Sequence, residues 1–342
     1  MRLEEICTVF TDGDWIESKD QSDDGIRLIQ TGNIGEGIYL EKEARAKYIS
    51  EEIFGKLKCT EIFPGDILVS RLPDPVGRAC IIPEKEERMI TAVDCTICRP
   101  NESIISKEYL CYFMRSSAYY KKLLGSVTGT TRKRISRKNL GNVELEVPSK
   151  ERQMDVVEQL DCLVKVIESR KQELQLLDTL IKARFVEMFG SIHDGRFDMK
   201  TLLEIVNDDK NSIKRGPFGG ALKKEDFVED GYLVYEQRHA IHNDFEYAKY
   251  YITQEKYEGM IGFKVVPGDL IISCSGVTLG RIAEVPEGAK EGIINQALLK
   301  LSLNPHIMMN TFFIQQFRGE EIQNILFGFS RGSGIPNMPS MS

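Results

Sequence analysis

The chain has 342 residues, enough for two domains with separate cores. Apolar residues make up 42% and charged residues 28%, a composition that excludes a disordered or membrane-embedded chain. The net charge of −7 excludes binding of nucleic acid through bulk charge, so any such contact has to come from a local cluster.

The start, Met1-Arg2-Leu3-Glu4-Glu5, places an acidic pair where a secretory signal would begin its apolar stretch. No window approaches a membrane span, and a cytoplasmic setting is expected. Arg27-Leu28-Ile29-Gln30-Thr31-Gly32-Asn33-Ile34 passes from an apolar run into a polar turn. Pro64-Gly65-Asp66 precedes the apolar run Ile67–Ser70 and reads as a tight turn feeding a strand. Eight cysteines, at 7, 59, 80, 95, 98, 111, 162 and 274, read as reduced thiols in such a setting. Cys95 and Cys98 form one Cys-x-x-Cys within Thr91–Cys98, which reads as a single strand. With no second pair or matched histidines nearby, core thiols are expected there rather than a metal site.

Helical stretches follow near 107–124. Residues 121–138 carry Lys121, Lys122, Arg132, Lys133, Arg134, Arg137 and Lys138 with no acid among them. This is the local basic cluster that the net charge calls for; the alternative is a solvated charge run. Pro148 then closes the first domain. Ser149 suits an N-cap, Glu151 the first helical turn and Gly190 the residue after the last turn. Between them Val157, Leu160, Val164, Ile167, Lys171, Leu174, Asp178, Ile181, Phe185 and Met188 recur at spacings of three and four. A second stripe runs through Val156, Leu163, Leu177 and Arg184. This is a coiled-coil seam widened toward a bundle face. At 1.5 Å per residue the helix would be roughly 60 Å long, too long to bury its stripe on one small domain and able to set the spacing of two DNA half-sites.

Beyond the helix the first domain recurs at an offset of 203 residues. Tyr48-Ile49 falls on Tyr251-Ile252, Pro64-Gly65-Asp66 on Pro267-Gly268-Asp269, Ser70 on Ser273, Gly77-Arg78 on Gly280-Arg281 and Arg115 on Arg318. Helical stretches recur near 308–327. The chain therefore reads as α+β: two related domains with twisted sheets, 1–147 and 191–342, joined by a long coiled-coil-type helix at 148–190. The copies agree at turns and differ between them, as one scaffold would for two ligands of one kind.

Two domains with the Pro-Gly-Asp strand and the later Gly-Arg, separated by a heptad helix opening Pro148-Ser149-Lys150-Glu151-Arg152-Gln153, resemble the specificity subunit of type I restriction-modification enzymes. Gly32-Asn33-Ile34 and Asn295-Gln296 add to the resemblance, which covers essentially the whole chain. It implies a non-catalytic, DNA-binding subunit with no cofactor or metal. Each target-recognition domain would read half of a bipartite, asymmetric site in double-stranded DNA. The helix would hold methyltransferase subunits through Val157, Leu160, Val164, Ile167, Leu174, Ile181 and Phe185, and a restriction subunit would complete the nuclease. One departure stands out: the family's second helix, after the second recognition domain, has no counterpart here. The stripe is thus expected to be exposed, with self-association or dependence on a partner as the result.

The expected DNA contacts fall on loops. In the first copy they are Gln30, Thr31, Asn33, Arg71, Arg78, Thr130, Thr131, Arg132, Lys133 and Arg134; in the second, Arg215, Gln237, Arg238, His239, Ser275, Arg281 and Arg331. Arginine grips guanine at two atoms, Asn and Gln pair with adenine, and lysine or hydroxyl groups hold phosphate. Lys210 and Lys214 are further phosphate candidates. Asn33 could equally serve turn chemistry beside its glycines, and the matched pair Arg78 and Arg281 could equally be structural. Two rivals remain open: an enzyme and a protein scaffold. Against the first, the chain lacks an Asn/Asp-Pro-Pro-aromatic methyltransferase signature and a P-loop. The second predicts no salt-sensitive DNA binding.

Overall fold

In a computed structural model of the chain, residues 1–126, 129, 133–191, 194–218 and 220–329 are described. The chain divides into two compact units, Met1–Lys171 and Gln172–Ser342.

Among its described residues the first unit has eight strands: β1 (Cys7–Asp12), β2 (Ile26–Ile29), β3 (Tyr48–Ile49), β4 (Glu61–Ile62), β5 (Ile67–Ser70), β6 (Ala79–Ile81), β7 (Met89–Thr91) and β8 (Cys95–Pro100). They form two sheets, in the orders β1-β8-β5-β6 and β3-β2-β7-β4. Strand β5 shows why. Ile67-Leu68-Val69-Ser70 is buried along its whole length, and side chains alternate between faces. Ile67 and Val69 pack under the helices Lys107–Phe113 and Ser117–Leu124, with Leu110, Tyr119 and Leu123. Leu68 turns the other way, onto Ile29, Ile62 and Met89 of the second sheet. The first sheet is thus the middle layer, and cutting Leu68 to Ala would cost about 2–5 kcal/mol.

Thr91–Cys98 is not one strand. Thr91 ends β7 in one sheet, Cys95 begins β8 in the other, and the Cys95 N–H donates to Ala92 O (2.9 Å) across the turn between. Cys95 and Cys98 are buried on opposite faces of β8, in separate core clusters. Two thiols that diverge in this way cannot share one metal ion. Burial pushes Cys95 up to about 12.

The second unit repeats the plan with β9 (Ile213–Arg215), β10 (Phe227–Val228), β11 (Tyr232–Tyr235), β12 (Tyr251–Ile252), β13 (Lys264–Val265), β14 (Leu270–Ser273), β15 (Ile282–Glu284), β16 (Gly292–Ile294) and β17 (Leu298–Leu301). Its sheets run β15-β14-β17-β9 and β10-β12-β11-β16-β13, the same orders with one added edge strand. The Pro-Gly-Asp turns also match. Gly65 (φ +91°) and Gly268 (φ +87°) take the left-handed conformation that the third turn position requires. Asp66 Oδ2 accepts from Phe63 N and Asp269 Oδ2 from Val266 N, both at 2.9 Å. Arg99 then grips Asp66 with two bonds, at 2.7 and 2.8 Å, where the second unit has Ser302 donating to Asp269.

One continuous helix, Lys150–Phe189, runs from the first unit into the second. Ser149 Oγ accepts from Arg152 N, and Gly190 (φ +76°) ends the helix. The first unit holds the helix by polar contacts. Buried Gln153 accepts from Ser106 N (2.8 Å) and donates to Ile104 O and Pro148 O, and Tyr112 donates to Asp161. The second unit uses aromatics: Phe185 and Phe189 lie against Phe312, with ring centres 5.1 and 5.0 Å apart. Of the apolar stripe, Val157, Leu160, Val164 and Phe185 are half-buried, whereas Ile167, Leu174 and Ile181 are exposed. No helix among the described residues is long and apolar enough to cross a membrane.

Candidate nucleic-acid interface

In each unit the C-terminal ends of four strands meet in a cluster of loops, closed by the same backbone hydrogen bonds. In the first unit Gly13 N donates to Cys95 O (2.9 Å), Ala92 N to Ile29 O (3.0 Å), Arg71 N to Asp94 O (2.9 Å) and Gly77 N to Ser70 O (2.8 Å). In the second, Gly216 N donates to Leu298 O (2.9 Å), Asn295 N to Tyr235 O (2.9 Å), Cys274 N to Ala297 O (2.9 Å) and Gly280 N to Ser273 O (2.8 Å). The chain passes so close at Gly13 and Gly216 that an added Cβ would lie 2.3 Å from Thr91 O and 1.8 Å from Asn295 O. The backbone framework is therefore closely packed and common to both, and the side chains on it differ.

In the first cluster several expected contacts turn out to be framework. Asn33 is buried; its Oδ1 accepts from Gln30 N (3.0 Å) and its Nδ2 donates to Leu40 O (3.0 Å). Arg78 spends its guanidinium on four carbonyls, those of Ile34 (2.7 Å), Thr31 (2.8 Å), Leu72 (3.0 Å) and Pro75 (3.2 Å). Arg71 is buried, donates to Val93 O and pairs with Asp12 at 3.4 Å; burial pulls its guanidinium below the ordinary arginine range. The hydrogen-bonding groups of these three are turned inward, where they support the loops.

Gln30 and Thr31 are half-buried on the turn that Asn33 and Arg78 hold, and Lys133 and Arg134 are exposed. The basic segment is tied to this cluster: Arg134 pairs with Asp94 (2.9 Å), Arg137 with Asp12 (3.9 Å), and Ile135 N donates to Arg71 O (3.2 Å). Thr130, Thr131 and Arg132 lie outside the described residues, as does Arg331 in the second copy.

The second cluster distributes its charge differently. Arg215 occupies the β9 position matching Asp12 on β1, donates to Gln296 O and lies over the Phe218 ring at 5.4 Å. Arg238 is exposed, pairs with Asp244 and covers Tyr247. The Gln237 amide nitrogen is committed to Ser273 Oγ (2.9 Å) and to Ser275 O and Oγ (2.8 and 3.1 Å), which makes Gln237 and Ser275 one internally bonded pair. His239 is fully buried: Nδ1 accepts from Glu236 N (2.9 Å) and Nε2 faces Tyr247 O (2.9 Å). Arg281 points into solvent, unlike its repeat partner Arg78. Lys214 lies over Phe263 rather than free at the surface. Sequence reasoning passed over Trp15 and Phe218, which follow the two crowded glycines and are exposed; the 203-residue register that aligns Gly13 with Gly216 aligns them too.

The sequence profile of the type I restriction modification DNA specificity domain matches residues 1–179, more than half of the chain. The chain belongs to the type I restriction-modification specificity family. Specificity subunits of this family are not catalysts. No curated protein sequence matches significantly. Among solved structures, the chain is similar to one described for complex assembly and conformational transition of the type I R-M system. That match has TM-score 0.51 and 14% identity, and covers 100% of this chain and 85% of that one. It is also similar to the HsdS subunit from Thermoanaerobacter tengcongensis (TM-score 0.42, 14% identity, covering 99% and 84%). A third match is the type I restriction-modification S subunit from M. genitalium (TM-score 0.43, 12% identity, covering 95% and 78%). The first of these likenesses supports the α+β fold with two domains on a long helix.

Proposed function

We propose that the chain reads a bipartite, asymmetric site in double-stranded DNA, one half per loop cluster, and delivers methyltransferase and restriction subunits to it. The observation that carries this reading is the pair of clusters itself: identical backbone bonding under different side chains is what two specificities on one scaffold require. The first cluster offers Gln30, Thr31, Lys133 and Arg134, and the second offers Arg215, Arg238 and Arg281; Thr130, Thr131, Arg132 and Arg331 are added on sequence alone. These groups suit base edges and phosphates. The exposed Ile167, Leu174 and Ile181 give the helix an apolar face for methyltransferase subunits, or for a second copy of the chain when these are absent.

The test is a mobility shift of duplex DNA by the full chain, with and without methyltransferase subunits, over a salt series. Affinity should fall steeply as salt rises. A chain that binds its methyltransferase but never shifts DNA would contradict the proposal.

A further inference from the structure

Trp15 and Phe218 stand at one position of the repeated scaffold. Each follows a strand of the helix-backed sheet by three residues, β1 ending at Asp12 and β9 at Arg215. Two residues before each ring the chain passes through Gly13 or Gly216, where a Cβ would collide with a backbone carbonyl. The backbone leading to both rings is therefore closely packed. Yet neither ring is buried by the fold: Trp15 is 70% and Phe218 57% exposed. Trp15 is the sole tryptophan, and its indole N–H reaches only Glu17 (3.4 Å). Phe218 carries Arg215 over its face.

An exposed tryptophan on a closely packed support has unspent apolar area; an aromatic ring that finds a partner buries roughly 150–250 Å². Twice at the same register, beside the loops assigned to DNA, it has the form of a binding element. We propose that Trp15 and Phe218 are equivalent DNA-contacting residues, each laying its ring against the bases of its own half-site. This rests on the DNA-reading role above. The charge around the rings differs. Near Phe218 stands Arg215, whose guanidinium lies over the ring and favours a polyanion. Near Trp15 stand acids, but Asp12 is held by Arg71 and Arg137, Asp14 accepts from Thr60 N, and Glu17 is paired with Lys19. Phe218 should therefore contribute more than Trp15.

The test uses the full chain and duplexes that it enriches from a randomised pool. Binding is followed by anisotropy of labelled DNA and by tryptophan emission. Trp15 emission should change with the same midpoint as the anisotropy, and Phe218→Trp in a Trp15→Phe background should report the second half-site. Trp15→Ala and Phe218→Ala should each weaken binding, by roughly tenfold or more for an exposed ring that becomes buried on the duplex, with unaltered melting; Trp15→Phe should lose less. Normal anisotropy with unmoved emission and unchanged affinities would overturn the assignment while leaving the DNA-reading role intact. Alanine variants that keep DNA but lose methyltransferase capture would overturn it in favour of a protein contact. If the unaltered chain enriches no duplex, the reading role fails and this assignment with it.

Discussion

Asn33 and His239 hold the same post in the two units. Each is the third residue of a short helical turn after a strand of the second sheet, each accepts from the backbone N–H three residues earlier, and each bonds a carbonyl farther on, Leu40 O or Tyr247 O. An amide in one unit and an imidazole in the other thus pin the turn on which the recognition side chains stand.

His239→Ala should therefore destabilise the second unit by about 2–3 kcal/mol, by leaving a buried N–H and a carbonyl without partners. His239→Asn, which installs the first unit's solution, should cost less. Urea unfolding of the full chain checks both, and an alanine variant as stable as the parent would refute the pinning role.

Gln153 ties the start of the long helix to Ser106, Ile104 and Pro148 with three hydrogen bonds. Gln153→Ala should cost about 2–4 kcal/mol locally and raise hydrogen exchange at Ser106 and the first helical turn. Unchanged protection there would show that packing alone holds the helix.

The thiols predict a pH dependence. Burial pushes Cys80 and Cys95 up to about 12 and Cys111 and Cys274 up to about 11, while Cys162 on the helix is exposed. Alkylation near pH 8 followed by mass spectrometry should modify Cys162 first and leave those four intact. Above about pH 9 the unfolded chain loses thiol protons that the folded chain retains, so stability should fall as pH rises through that range.

Ile167→Asp and Leu174→Asp alter exposed positions on the helix. Both should leave the melting temperature nearly unchanged and abolish methyltransferase capture and any self-association, as read by sedimentation. Capture that survives both substitutions would place the docking face elsewhere.

Much of the fold is legible because turns leave strong marks. Pro64-Gly65-Asp66 and its repeat announce a turn and a strand, and Ser149 and Gly190 bracket the helix. The register is less uniform than one offset implies. Asn33 corresponds to His239, an offset of 206, because the first copy has extra residues before Tyr48; a single offset therefore sets Gln237 and Arg238 against the wrong partners. Arg78 and Arg281 align by sequence but differ in exposure, since two of the four carbonyls that capture Arg78, those of Leu72 and Pro75, belong to a loop that the second copy replaces. Thr91–Cys98 reads as one strand because its apolar residues continue across a turn with neither glycine nor proline. Burial of Asn33, Arg71 and His239 is a property of packing, and no local pattern announces it.

Two-part reading is tested most directly by sequencing duplexes selected from a randomised pool by the chain with its methyltransferase subunits, for the parent and for Arg281→Ala. Two short defined stretches flanking unread bases should emerge, and the substitution should relax one stretch only. A single continuous motif, or relaxation of both stretches together, would contradict it.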